Sequence, residues 1–411
     1  MNKSATELIL IRITGEDRPG LTASITEVLS KYDVTILDIG QADIHNTLSL
    51  GILFKTKEQY SGNIMKELLF KASSLGITIR FYPISVEEYE NWVSMQGKNR
   101  YILTLLGRKL TANQISAVTK IVADQGMNID AIKRLTGRIP LDDQKANIRS
   151  CIELSVRGNP KNQEEMNVNL LKLSGELDMD YSLQLDNMYR RMRRLICFDM
   201  DSTLIETEVI DELAIKAGVG EEVKAITESA MRGEIDFTES FRRRVALLKG
   251  LDESVMKEIA ENLPITEGVD RLMFVLKRYG YKIAILSGGF TYFGNYLKQK
   301  YGIDYVYANE LEIVDGKLTG NYLGDVVDGK RKAELLRLIA QVENVDIAQT
   351  IAVGDGANDL PMLGIAGLGI AYHAKPKVKQ NAKQSINTIG LDGVLYFLGF
   401  KDSYLDEQGK L

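Results

Sequence analysis

The chain is poor in the side chains that carry most metal, disulfide and general-base chemistry. Among 411 residues there are two histidines, His45 and His373, two cysteines, Cys151 and Cys197, and one tryptophan. Two unclustered histidines make a Ser-His-Asp mechanism or a His-rich zinc site a poor expectation. Two cysteines outside any CxxC pair build no disulfide framework, and they point to a reducing, cytoplasmic setting. No apolar run approaches the ~18 residues of a membrane span. The N-terminal stretch, interrupted by Arg12, does not read as a signal peptide. Positive charge is not in excess: 51 Lys and Arg stand against 56 Asp and Glu, a net charge of -5. That disfavours a nucleic-acid partner. It leaves room for an anionic small molecule, which needs only local cations. Acid-base work must fall to carboxylates, lysines or thiols.

What is present is ordinary for a globular protein of two to four domains, with 45% hydrophobic and 26% charged residues. Residues 7–13 read as a strand, Gly15 to Gly20 as a turn and Leu21–Lys31 as a helix. Strands at 34–39 and 47–54, a helix at 64–75 and a strand at 78–82 complete a βαββαβ unit. The pattern recurs at strand 101–106, helix 112–125, strands 129–135 and 148–156, helix 162–173 and strand 178–184. Two copies of one small domain follow from that repeat. The basic stretch Tyr189–Arg194 reads as a solvated linker or the start of a strand, with an anion-binding patch as the rival. Beyond it, short apolar strands (195–198, 283–286, 305–308, 351–353, 369–370) alternate with helices, the mark of a parallel α/β sheet. Residues 208–263 read as a helical insertion.

Four motifs follow those strands in order. Asp199-Met200-Asp201-Ser202-Thr203 places two carboxylates where an open parallel sheet binds ligands. One carboxylate can attack phosphorus and the other can serve the leaving alkoxide as acid, then the water as base. A dianionic phosphate repels a carboxylate, so a hard divalent cation belongs between them, and magnesium suits oxygen ligands and phosphate. Ser287-Gly288-Gly289 can hold phosphate oxygens. Lys330 and Lys332 offer an ammonium for the transferring group. Asp355-Gly356-Ala357-Asn358-Asp359 offers metal ligands, and it lacks the twelve-residue calcium loop.

Together these motifs resemble the haloacid dehalogenase superfamily of phosphatases. The second aspartate, Asp201, favours phosphoryl transfer over dehalogenation. The resemblance implies Asp199 as nucleophile and metal ligand, and Asp201 as acid/base and main-chain metal ligand. It further implies Ser287 and Gly288 as phosphate binders, Lys332 rather than Lys330 as the motif lysine, and Asp355 as metal ligand. Asn358 and Asp359 would support the site, and Mg2+ would be the cofactor.

The insertion carries Glu208, Met231, Phe237 and Arg244. With residues 199–206 and 229–237 it resembles the phosphoserine phosphatases. That resemblance implies Glu208 on the substrate's amino group, Arg244 on its carboxylate, and Met231 and Phe237 in the lid. Residues 15–21 resemble the turn of ACT domains, where backbone N–H groups before a helix can meet a carboxylate. Asp17, Arg18, Gly20 and Asp38 are the candidate effector contacts. The second turn, Gly107-Arg108-Lys109-Leu110-Thr111, lacks the Asp-Arg-Pro-Gly pattern. Both copies could also serve only to dimerise the enzyme.

The expected architecture is α/β: a Rossmann-like parallel core over 190–411 with a helical cap at about 208–263, preceded by ferredoxin-like ACT-like domains at 1–90 and 98–185. The expected activity is hydrolysis of phosphoserine, the last step of serine synthesis, by a cytoplasmic homodimer with serine as a possible effector and no nucleic-acid or membrane partner. The rivals are a phosphotransferase acting on an alcohol such as homoserine, and an inactive amino-acid sensor.

Overall fold

Alternation decides the first strand. Ile9, Ile11 and Ile13 of β1 (Thr6–Glu16) are buried, while Arg12, between the last two, and Thr14, after them, are exposed. The structure, a computed structural model, describes residues 6–95, 97–138, 148–382 and 384–404, with 231, 376 and 377 described by their backbone alone. The chain forms two compact units, 1–98 and 99–411.

In the first unit β1, β2 (Thr35–Ile44), β3 (Thr47–Lys57) and β4 (Thr78–Ile84) form an antiparallel sheet in the order β2-β3-β1-β4. Helices Leu21–Ser30 and Glu58–Leu75 pack Ile25, Leu29, Ile64 and Leu68 against the β1 isoleucines. The order is the expected βαββαβ. Two details differ from the sequence reading. β2 runs on to Ile44, so Asp38 lies mid-strand beside a register shift at Ile36 and not near the strand's end. Pairing with β3 imposes the extended form on Gly40–Asp43, which have no apolar alternation of their own. A helix over Val86–Ser94 also appears, started by a capping box between Ser85 and Glu88.

In the second unit one sheet spans both remaining parts of the chain. β5 (Arg100–Gly107), β6 (Asn128–Arg134), β7 (Ser150–Arg157) and β8 (Asp180–Leu185) repeat the small-domain pattern. β9 (Leu195–Phe198), β10 (Lys282–Phe290), β11 (Tyr305–Val314), β12 (Lys317–Leu323), β13 (Thr350–Gly354), β14 (Leu368–Tyr372) and β15 (Gln384–Ile386) follow. The order is β12-β11-β10-β9-β13-β14-β15-β8-β5-β7-β6. β9 is central, flanked by β10 and β13 in parallel, and its four residues are all fully buried. The insertion forms four helices, Val209–Ala217, Gly220–Met231, Phe237–Ala246 and Ser254–Glu261. Among the described residues no helix is long and apolar enough to cross a membrane.

The basic stretch is solvated only in part, and it leads into β9. Arg190 and Arg193 are 8% and 4% exposed, and Arg190 pairs with Glu153 of β7 at 2.9 Å. Burial, then the charge of Arg190, pulls the Arg193 guanidinium down to about 10. Tyr189, Arg191, Met192 and Arg194 stay exposed, so only these two arginines are covered where the chain crosses between the two parts of the shared sheet.

That sheet is joined where β15 meets β8 at Ser385 and Tyr181. One backbone pairing is a weak seam, and side chains reinforce it. Gln384 bonds both the N–H and the C=O of Leu183, at 3.0 and 3.3 Å. Asp180, fully buried, accepts from the backbone N–H groups of Asn387 and Thr388 and from both of their side chains, at 2.6–3.3 Å. Removing the acceptor leaves buried donors unmet. Asp180→Ala is therefore expected to destabilise the 99–411 unit by about 2–4 kcal/mol, read by denaturant unfolding; a loss below about 0.5 kcal/mol would mean the seam holds without it.

Candidate active site

The three parallel strands at the sheet's centre end side by side. β9 delivers Asp199, β10 turns at Ser287–Gly289 and β13 delivers Asp355. This is where an open α/β sheet takes ligands. Asp199 N–H donates to the Val353 carbonyl at 2.9 Å, so the β9–β13 ladder extends into the motif itself. The chain then folds tightly, with the N–H groups of Thr203, Leu204 and Ile205 all donating to the Met200 carbonyl and Ser202 at φ 55°. This coil turns Asp199 and Asp201 toward one pocket.

Lys332 enters from the first turn of helix Gly329–Val342. It is wholly buried, with Nζ 2.9 Å from Asp199 Oδ1 and 2.7 Å from Asp359 Oδ1. Asp199 Oδ1 also accepts from the Met200 N–H, and Asp359 Oδ2 from the Gly356 N–H, at 2.8 and 2.9 Å. Lys330 is on the surface, 86% exposed, beside Glu334. Side-chain oxygens of Asp199, Asp355 and Asp359 all lie within 4.8 Å of one another. Three hard oxygen donors of this kind fit a divalent cation such as magnesium or calcium, and lack the N and S donors of a zinc site.

Asp201 stands apart from that cluster. Its Oδ1 accepts from the Val209 N–H at 3.2 Å, while its Oδ2 lies against Gly289 so closely that any side chain there would collide with it. Ser287 Oγ accepts from the Gly289 N–H at 2.9 Å. A methyl on Gly288 would come 3.0 Å from the Phe237 ring and 3.8 Å from Asn358 Nδ2, so the insertion roofs this turn. Phe237, Phe241 and Phe290 run from that roof to the strand beneath, with ring centroids 6.4 and 5.9 Å apart. Glu208 sits at the rim, accepting from Ser202 Oγ at 2.8 Å. Arg244 is half-buried and, among the described residues, closes no salt bridge, whereas Arg242 and Arg243 both pair with Glu239. Met231 ends its helix, and its side chain lies outside the described residues.

The structure thus gathers Asp199, Asp201, Ser287, Gly288, Lys332, Asp355, Asn358 and Asp359, with Glu208, Phe237 and Arg244 on the insertion's side. Asp17, Arg18 and Gly20 are in the other unit, on the turn before helix Leu21–Ser30. There Gly20 takes φ 86° and Arg18 pairs with Glu16. Asp38 is on the exposed edge strand of that unit, holding the Ile39 N–H at 3.0 Å. Two functional side chains escaped the sequence reading. Asn309, 2% exposed, donates to the Gly288 carbonyl at 2.7 Å and accepts from the Val327 N–H at 2.9 Å. Thr203 Oγ1 donates to Asp355 Oδ1 at 3.4 Å. Asn309 ends the parallel pairing of β11 with β10, a position that could have drawn notice.

Comparison with known proteins agrees with this geometry. Residues 196–364 match the haloacid dehalogenase-like hydrolases, and residues 7–82 and 100–184 each match ACT domains. The chain is 38% identical to a phosphoserine phosphatase of Streptomyces coelicolor over 95% of its own length and 92% of the relative's. It is also 38% identical to one from Mycobacterium tuberculosis, over 95% and 93%. Among solved structures, a probable phosphoserine phosphatase from Vibrio cholerae superposes with TM-score 0.58 at 37% identity, covering 74% of this chain and 87% of that one.

The electrostatics follow from crowding. Burial, then the charges of Asp199 and Asp359, pushes the Asp355 carboxyl up to about 8. Burial, then Asp199, pushes Asp359 up to about 7, with Lys332 working the other way. Burial, then Glu208 and Asp199, raises Asp201 well above the ordinary carboxylate range. Burial opposes the charge on Lys332, but Asp199 and Asp359 outweigh it and its pKa is raised. At neutral pH the cation-free cluster therefore holds protons that a bound cation must displace. Magnesium affinity should rise with pH through 7 to 8, by roughly tenfold per displaced proton per pH unit. Calorimetry at pH 6.5 and 8.5, in buffers of different ionisation enthalpy, reads both the affinity and the proton release. An affinity that ignores pH would mean that the ion binds away from Asp355 and Asp359.

Proposed function

We infer the activity from one premise: the chain belongs to the phosphoserine phosphatase family of haloacid dehalogenase-like hydrolases. It hydrolyses O-phospho-L-serine to serine and phosphate, the last step of serine synthesis. The observation that carries the residue roles is the meeting of Asp199, Asp201 and Lys332 at the ends of the central strands. Superfamily membership alone would give the chemistry and not the substrate.

In the proposed reaction the Asp199 carboxylate attacks phosphorus, forming an aspartyl-phosphate as the P–O bond to the seryl oxygen breaks. Asp201 gives its proton to that oxygen. Its raised pKa keeps the proton available, and the N–H of Val209 on Oδ1 leaves Oδ2 to carry it. Asp201 then takes a proton from the water that attacks the aspartyl-phosphate, and inorganic phosphate leaves. Lys332 holds the Asp199 carboxylate in place and faces the negative charge of the transferred group. Ser287 Oγ and the N–H groups of the Gly288 turn hold the phosphoryl oxygens, with Asn358 beside them. A magnesium ion held by Asp199, Asp355 and Asp359, with the main-chain carbonyl of Asp201, would offset the repulsion between a carboxylate and a dianionic phosphate.

The substrate's serine part is assigned to the insertion. Arg244 is half-buried and, among the described residues, closes no salt bridge, its Nε donating to the Ser240 carbonyl at 3.4 Å and its pKa lowered chiefly by burial. A guanidinium in that state has much to gain from a carboxylate in bidentate geometry. Glu208 receives the ammonium, and Phe237 and Met231 close the lid. Residues 1–90 and 98–185 are read as ACT-like domains and 190–411 as the phosphatase domain. Serine as effector at Asp17, Arg18, Gly20 and Asp38, and a homodimer, complete the proposal. Two buried free thiols, Cys151 and Cys197, suit the cytoplasm.

Phosphate release from phosphoserine, phosphothreonine and sugar phosphates, with and without magnesium, tests the substrate directly. Asp199→Asn should abolish turnover with the fold intact. Arg244→Ala should lower kcat/KM for phosphoserine by ~100-fold or more and for an aryl phosphate by under ~5-fold, the difference expected of a charge-assisted contact to a carboxylate. Equal losses on both substrates would remove Arg244 from the carboxylate.

A further inference from the structure

The turn after the first strand differs between the two ACT-like repeats. In the first unit it is Gly15–Gly20, and its arginine, Arg18, pairs within its own hairpin with Glu16. In the second repeat the turn follows Gly107, and its arginine reaches out of the repeat. Arg108 grips Glu267 with two parallel bonds, Nη1 to Oε1 at 2.9 Å and Nη2 to Oε2 at 2.6 Å. This is the bidentate geometry that fixes direction as well as distance.

Glu267 is not an arbitrary anchor. It lies in the turn just after the segment by which the chain returns from the helical insertion. That segment lies against the one by which the chain leaves the Asp199 motif. Ile205 and Ile265 form a bridge, Glu206 N–H donates to the Pro264 carbonyl at 2.9 Å, and Thr266 N–H donates to the Leu204 carbonyl at 3.1 Å. The outgoing segment leads from Asp201 to Glu208. On the far side the Glu267 carbonyl accepts from the Leu391 N–H at 2.7 Å. Beside it Arg271, in the next helical turn, pairs with buried Asp392, which also pairs with Arg149, just before β7 of the same repeat. The turn of the second repeat is therefore tied to the ribbon that carries the insertion.

We propose that Arg108 is a positioning residue for phosphoserine hydrolysis: through Glu267 it sets the ribbon 204–206/264–266, and through the ribbon it sets Glu208 and the insertion over the substrate. The second repeat then acts as a strut for the active site, and its turn is not a free effector pocket. The proposal rests on the phosphoserine reading for its kinetic consequence and on geometry alone for its structural one.

Arg108 and Glu267 are 36% and 34% exposed. A pair this exposed adds little to global stability, so the effect on position can be separated from unfolding. The test uses the full-length chain. Arg108→Ala should speed amide hydrogen exchange at Glu206 and Thr266 by ~5-fold or more, with a thermal midpoint within about 2 °C of the parent. It should raise KM for phosphoserine ~5-fold or more while kcat changes by under ~2-fold and an aryl phosphate is unaffected. Arg108→Lys, which cannot make the fork, should fall between. Asp130→Ala removes the comparable Arg157–Asp130 pair of the same repeat, which lies between β6 and β7, and should do neither. Unchanged exchange at Glu206 and Thr266 in Arg108→Ala, or an equal change in Asp130→Ala, overturns the strut. Faster exchange in an enzyme that ignores phosphoserine would instead retire the substrate reading and leave the strut standing.

Discussion

An ammonium with no access to water sits at the centre of this enzyme. Lys332 is wholly buried, and a buried charge costs several kcal/mol unless it is paired and hydrogen-bonded. Asp199 and Asp359 meet that requirement at 2.9 and 2.7 Å, so the position of Asp199 and the tolerance of the lysine are one constraint. The surroundings are built to hold it. Asp328 caps the helix by accepting from the Arg331 N–H at 2.8 Å. Gly329 has no side chain because the Asn358 carbonyl occupies that space, at 2.6 Å from where a Cβ would be. Asn309 pins the approach at Val327 and the Gly288 carbonyl together. One lysine is thus fixed from its helix, from the aspartate loop and from the Ser287–Gly289 turn.

The same charge count explains why the site asks for a cation. Asp199, Asp355 and Asp359 are three carboxylates against one ammonium. Protons relieve part of that excess, as the upward shifts of Asp355 and Asp359 indicate. A divalent ion relieves more and remains when a dianionic phosphate arrives. Asp201 gains from the arrangement in a different way. It is kept off the cluster, against Gly289, and there burial and negative neighbours keep its carboxyl protonated well above the ordinary carboxylate range, the state a general acid needs.

Much of the site was legible in the sequence because each motif follows an apolar strand of a parallel sheet, and topology does the rest. Asp199 after 195–198 and Asp355 after 351–353 needed no contact information to be placed together. Asn309 was not legible: its two bonds run to Gly288 and Val327, 21 and 18 residues away, and a single Asn carries no motif. The seam between β8 and β15 was hidden for a related reason. β15 is three residues, Gln384-Ser385-Ile386, too short and polar to read as a strand until Asp180 and Tyr181 are seen beside it. The buried Arg190 looked solvated because its partner Glu153 lies 37 residues earlier. The helix at Val86–Ser94 is the opposite case, since the Ser85–Glu88 capping signal was there to be used.

The two ACT-like repeats set the same turn in different surroundings. Both place a turn before their first helix, and both turns hold an arginine. In the first, Arg18 pairs locally with Glu16 and the turn is exposed, with Gly20 in the left-handed region and the Asp17 N–H donating to the Asn46 carbonyl at 2.8 Å. In the second, Arg108 is held by Glu267, Asp180 is sealed into the loop after β15, and the repeat's sheet continues into the catalytic sheet. A module joined to its neighbour by a shared sheet and buried polar bonds cannot open at its turn without straining the phosphatase, whereas the first turn faces solvent and is free of that constraint. The Gly107-Arg108-Lys109-Leu110-Thr111 turn, without the Asp-Arg-Pro-Gly pattern, fits the fastened position, because its arginine is engaged by Glu267.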